Sequence, residues 1–208
     1  NEPDLKGETR TIEGIITSGN NNPLTSFFDV VYVQDETGGI TIHPIANTKL
    51  KLGQKVRITG VVGSYEGDTQ LGEVQELTDV EIIDESINLV DPTKLSTADS
   101  MLEKYEGLLV SAQGVVKSID TQAGNIIIND GSGDARVHIN GYIGGGQSGE
   151  EVGAWANRIK VGDTLSVIGL AAEDAAGKRI RVRNTDEVIV VEASTETPDN
   201  GGTTTPDN

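Results

Sequence analysis

Two stretches decide the fold: "DVVYVQDETGGITIHPI", Asp29–Ile45, and "NIIINDGSGDARVHI", Asn125–Ile139. Each has a β-branched run, an acidic turn containing glycine, an alternating run and a histidine. In the second, Ala135, Val137 and Ile139 alternate with Arg136 and His138; in the first, Ile40 and Ile42 alternate with Thr41 and His43. A period of two is the signature of a half-buried strand, and Gly beside Asp is turn chemistry. Each stretch therefore reads as a β-hairpin, and its recurrence raises the question of a duplicated domain.

Working outward, the match extends in both directions. "TIEGIITS" (Thr11–Ser18) matches "SAQGVVKS" (Ser111–Ser118), and "LKLGQKVRITGVV" (Leu50–Val62) matches "IKVGDTLSVIGLA" (Ile159–Ala171). "VQELTDVEIID" (Val74–Asp84) matches "VRNTDEVIVVE" (Val182–Glu192). Four blocks in one order predict a duplication of a unit of five short strands. Gly60 and Gly169 fall inside strands, where glycine marks a bulge or the sharp bend of a small barrel. The expected architecture is mainly β: two tandem five-stranded OB-type barrels. The expected boundaries are an N-terminal extension (residues 1–9), a first barrel (10–88), a connector (89–106), a second barrel (107–193) and a polar tail (194–208). "DPTKLSTADSMLEKYEG" predicts a short helix in the connector from about Thr97 to Tyr105. The second copy carries an insertion, residues 141–158, read as a Gly-rich loop and a short helix capped by Ser148.

These blocks resemble the tandem OB-fold modules of bacterial secreted and cell-surface proteins, which accompany extracellular nucleases and also occur in surface-layer proteins. The resemblance spans roughly residues 10–192 and implies an extracellular or cell-surface setting. It specifies fold more than function, because common folds host unrelated activities.

Composition narrows the classes. Lys plus Arg number 16 against 33 Asp plus Glu, a net charge of −17, with acids in excess in both halves. Such a field repels polyanions, so nucleic acid is a disfavoured partner on this reading. Aromatics are 3%, so the core must rest on Val, Ile and Leu, and without cysteine there is no disulfide, thiolate metal site or thiol nucleophile. No apolar run approaches the ~18 residues of a membrane span. The chain opens on Asn1 and not Met, from which removal of an N-terminal segment is expected, and "STETPDNGGTTTPDN" reads as an extended linker.

Candidate sites are few. Asp130, Ser132 and Asp134 place oxygens at the first, third and fifth positions of a loop, as a Ca²⁺ loop begins, but the twelfth position is Gly141 and not glutamate. A hairpin is the primary reading and a weak Ca²⁺ site the secondary one; no other cofactor is expected. His43 and His138 occupy equivalent strand positions and read as inherited polar-face residues. No G-x-S-x-G, phosphate-binding glycine loop or Ser-His-Asp set is present, so an enzyme is not expected. Arg179, Arg181 and Arg183 share one strand face, suited either to pairing with acids such as Glu173 and Asp174 or to contacting a partner or anion. Trp155 reads as a pin for the insertion or as an interface anchor, and Phe27 and Phe28 carry the same ambiguity. The leading expectation is a non-enzymatic building block of a cell-surface filament or layer. It would work by self-association or contacts with other surface proteins, through strand addition at exposed edges or through the polar tail. The alternative is an accessory nucleic-acid-binding OB module of a secreted nuclease, using the arginine stripe.

Overall fold

The glycines that punctuate the aligned blocks fall at equivalent turns. In a computed structural model that describes residues 5–19, 27, 29–45, 50–74 and 78–194, Gly53 and Gly162 adopt left-handed backbone angles (φ 86° and 93°). A side chain is costly there, and each glycine uses the turn to donate its N–H to the first strand of its barrel: Gly53 to Ile16 O at 2.8 Å, Gly162 to Val116 O at 2.9 Å.

Thirteen strands form among the described residues: β1 (Thr9–Ser18), β2 (Val31–Gln34), β3 (Gly39–Ile42), β4 (Lys55–Tyr65), β5 (Asp68–Gly72), β6 (Val80–Asp84), β7 (Thr93–Lys94), β8 (Leu109–Asp120), β9 (Asn125–Asn129), β10 (Asp134–His138), β11 (Thr164–Asp174), β12 (Gly177–Arg181) and β13 (Val188–Glu192). The first sheet closes as β1–β2–β3–β5–β4–β1, antiparallel except for the parallel β3–β5 pair. That five-strand circuit is the OB barrel. The second sheet runs the same circuit, β8–β9–β10–β12–β11–β8, with β10–β12 parallel. Even the irregularities coincide. Both first strands shift register at one place, Ile16/Ser18 and Val116/Ser118, and both fourth strands shift against their outer partner, Lys55/Val56 and Thr164/Leu165. Gly60 and Gly169 sit where strands cross closely: a Cβ on either would lie 2.7 Å from its nearest neighbour.

The first core is built from Ile16, Val31, Val33, Ile42, Ile58 and Leu71, among others. The second is larger and takes in residues from outside its own circuit. Phe27, Val30 and Tyr32 of the first half and Trp155 of the insertion join Ile126, Ile128 and Leu165 in one cluster.

The expected helices do not form; among the described residues the helical segments are all short 3₁₀ turns. In the connector, Ser96 and Asp99 make the reciprocal hydrogen bonds of a helix start (3.0 and 2.8 Å), and one turn follows at Asp99–Met101. Leu102 is extended, the chain turns again at Glu103–Tyr105, and Glu106 leaves it. One turn does not overcome the cost of helix nucleation while both flanks are tied elsewhere, Thr97 to Asp130 and Glu106 to Lys178. In the insertion, left-handed Gly146, Gly149 and Gly153 break the expected helix into turns at Gly146–Ser148 and Ala154–Asn157, and Ser148 caps neither. No helix among the described residues is long and apolar enough to cross a membrane. The polar tail (195–208), the first four residues and Phe28 lie outside the described residues.

Candidate functional site

The two barrels meet along a seam built from the face that each circuit turns outward. Alternation buries Val31 and Val33 inside the first barrel, so Tyr32 and Gln34 point out, yet both are buried by the second barrel. Gln34 Oε1 accepts the Leu109 N–H at 2.7 Å, and Glu106 Oε1 accepts the Thr69 N–H at 2.7 Å. Gly39 and Gly107 bring the two backbones together so closely that a Cβ on either would lie 2.3 Å from the other.

The arginine stripe lies in this seam. Arg181 stacks its guanidinium 3.7 Å from the Phe27 ring centroid and reaches the Tyr32 hydroxyl at 3.3 Å, while Phe27 meets Tyr32 edge-on at 6.0 Å. A desolvated cation–π contact of this kind contributes about 2 kcal/mol. Arg183 donates to Thr17 O at 2.6 Å and pairs with Glu187; Arg179 pairs with Asp174 at 2.7 Å. Trp155, 4% exposed, is packed into the second core.

The Ca²⁺-loop candidates are otherwise engaged. Asp130 accepts from Thr97 Oγ1 (2.7 Å) and from Ser132 N (2.9 Å), tying the connector to the β9–β10 hairpin, and Asp134 accepts from Asn129 (2.6 Å). The hydrogen bonds from Ser132 and Thr97 hold the Asp130 carboxyl well below the usual range. Among the described residues, Glu103, Glu106 and Glu173 converge closely enough to hold a cation, and the Lys178 ammonium stands among them, 2.5 Å from Glu106 and 2.6 Å from Glu173.

A cavity of about 180 Å³ opens at one end of the seam. The β4–β5 hairpin forms its rim. Glu66 and Gly67 both have positive φ (53° and 101°), as a type I′ turn requires, and this leaves Tyr65 60% exposed. Tyr65 lies beside His43, with ring centroids 6.4 Å apart at 38°. Thr41, Gln70, Arg179 and Arg181 line the same space. Four carboxylates do as well, but three are engaged: Asp29 with His43 (3.2 Å), Glu173 with Lys178, and Asp68 with Thr41 Oγ1 (2.9 Å) and the Glu173 N–H (3.2 Å). Burial pushes the Asp68 carboxyl up, toward its neutral form. On the second barrel, Arg136, Arg179 and Arg181 cluster around His138. Burial and then the charges of Arg179 and Arg136 push His138 down to about 4. Burial and Arg181 likewise push the Arg179 guanidinium down, and its Nε is buried without a hydrogen bond.

The sequence pointed to Arg179 and Arg181 but not to Tyr65 or to His43 as its ring partner. An aromatic residue at the mouth of a tight "YEGD" hairpin was the one local signal.

No family model and no curated protein matches the chain. Solved structures do. A murine DNA-binding protein bound with double-stranded DNA aligns over 91% of this chain and 99% of its own at 10% identity, with a TM-score of 0.42. Fission yeast Pot1 with single-stranded DNA aligns over 95% and 87% at 12% identity and 0.38. A replication protein A heterotrimer bound to single-stranded DNA aligns over 94% and 51% at 11% and 0.31. At these scores the likeness itself assigns no ligand to this chain. The expected filament or surface-layer building block, its self-association, and a nucleic acid disfavoured by charge are withdrawn, because the structures that align over most of the chain are of DNA-bound proteins.

Proposed function

We propose that the chain is a non-catalytic module that binds single-stranded nucleic acid at the seam, with both circuits descended from one duplicated OB unit. One observation carries the reading: the exposed Tyr65 ring, beside His43, opens on the same cavity as Arg179 and Arg181. Single-strand binding needs a ring face for a base and cations for the backbone. It also uses the β2–β3 face and the β4–β5 loop of an OB barrel, the elements that supply Thr41, His43 and Tyr65 here. The surrounding acidity makes the expected affinity modest and strongly salt-dependent.

Titration of a fluorescent oligothymidylate with the full chain at about 50 mM salt tests this. Tyr65→Ala is expected to lose about 1–3 kcal/mol, roughly 5- to 150-fold in Kd. Equal binding by that variant removes the assignment. A second reading, a neutral oligosaccharide, is favoured by Asp29, Glu66 and Gln70 at the same rim, since carboxylate and amide oxygens beside a ring suit sugar hydroxyls. Binding that does not respond to salt would select it.

A further inference from the structure

We propose that the seam cavity selects its base by hydrogen-bond donors, taking guanine in preference to thymine, with Glu66 as the residue that makes the choice. This rests on the nucleic-acid reading and gives it a base specificity.

The argument turns on which polar groups of the lining are already used. The donors are spent. Arg179 Nη1 pairs with Asp174 at 2.7 Å. Arg181 lies on the Phe27 ring and donates to the Tyr32 hydroxyl and to Asn140 Oδ1, both at 3.3 Å. Thr41 Oγ1 donates to Asp68 at 2.9 Å, and the His43 ring is held by Asp29 Oδ2 at 3.2 Å. Acceptors remain. Among the described residues the Glu66 carboxylate and the Gln70 amide have no partner, and Asp29 is engaged through Oδ2 alone. With four carboxylates in the lining, the capacity left open is for a ligand edge that donates.

Base chemistry then decides. On its Watson–Crick edge thymine has one N–H between two carbonyl oxygens, so a carboxylate that accepts from it faces acceptors on both sides. Cytosine and adenine each offer one amino group beside an acceptor nitrogen. Guanine offers two adjacent donors, N1–H and the 2-amino group, which one carboxylate accepts together, and its O6 can take an N–H of the Gln70 amide.

The placement suits this. Thr41 and Gln70 are register partners on β3 and β5, and Asp68 precedes Gln70 by two, so the three share the face turned away from the core. The β4–β5 turn sets Glu66 next to Tyr65, the ring on which the base stacks. At about 180 Å³ the cavity lies below the ~300–1,000 Å³ of drug-sized ligand sites, room for one base edge.

Titration of the full chain with single-stranded pentamers at about 50 mM salt tests the inference. The probes are pentathymidylate and the same strand with guanine, cytosine, adenine or hypoxanthine at its centre. The guanine strand is expected to bind roughly 5- to 150-fold more tightly than pentathymidylate, the discrimination of one bidentate base contact. Cytosine and adenine should fall between, and hypoxanthine, which lacks the 2-amino group, should lose most of the gain. Glu66→Gln keeps the size of the side chain on an exposed turn. It should bring guanine within about threefold of thymine without weakening pentathymidylate. Tyr65→Ala should weaken every strand. Guanine bound no more tightly than the other bases overturns the inference and leaves the nucleic-acid reading standing, and so does a guanine preference that survives Glu66→Gln. No binding of any strand overturns both, and putrescine binding in that case would assign the open acceptors to an organic cation.

Discussion

The two barrels share a circuit, two register shifts and a set of turn glycines, yet they are completed differently. The first fills its centre with its own aliphatic residues. The second is finished from outside, by Trp155 from its insertion and by Phe27, Val30 and Tyr32 from its neighbour. Strand order is the part of the design that repeats. What covers each barrel is where the two differ, and that difference makes the seam. The first barrel contributes rings and a hairpin tip, and the second contributes cations that its partner's aromatics hold in place.

The comparison is broken most severely at Trp155. Trp155→Ala should cost about 3–5 kcal/mol, read as a fall in the urea midpoint of the second barrel. A loss below about 1 kcal/mol would mean that the insertion is ornament and the barrels are equally self-sufficient. Tyr32→Ala should cost about 3 kcal/mol and also uncouple the halves, replacing one unfolding transition by two, because the ring belongs to one barrel by sequence and to the other by packing. A single unchanged transition would show that the seam is not where cooperativity resides. Neighbouring glycines then give a sharp contrast. Gly39→Ala drives a methyl into the Gly107 backbone and should cost about 1–3 kcal/mol. Gly38→Ala meets nothing within 4 Å, and its unfolding free energy should stay within about 0.5 kcal/mol of the parent chain.

A further effect is in pH. His138 is held at about 4 against 6.5 when unfolded, so it is neutral in the fold while the unfolded chain takes up a proton between those values. Stability contributed by the neutral ring is therefore complete above the unfolded value and is lost as pH falls toward the folded one. Allowing for partial solvent access, the loss should be about 1–2 kcal/mol. The difference between the parent chain and His138→Asn in urea titrations across that range isolates the term. Parallel curves would mean that neither burial nor the arginines around it hold His138 neutral.

Much of the fold was legible because its causes are local. Alternation at Ile40–His43 and Ala135–Ile139 sets which side chains face inward, and Gly53 and Gly162 mark turns that other residues enter only with strain. Legibility failed where two local signals competed with distant ties. Ser96 and Asp99 do begin a helix, but Asp130, thirty-odd positions away, claims Thr97 and the helix stops after a turn. The site was the least legible part. Arg179 and Arg181 stood out as cations on one strand face, but nothing near them in the chain indicates that Phe27 lies under one or that Tyr65 faces the same cavity. Those neighbours are more than a hundred residues distant in sequence, in the other half of the chain.

The sequence by itself therefore determined the strands, their turns and the repetition of the unit, because backbone sterics and period-two burial act between near neighbours. Only the tertiary structure decided which outward faces meet, and so which cations are spent on stacking and which look into the cavity. That outcome depends on shape and charge matching between two finished surfaces, a property no single stretch of chain contains.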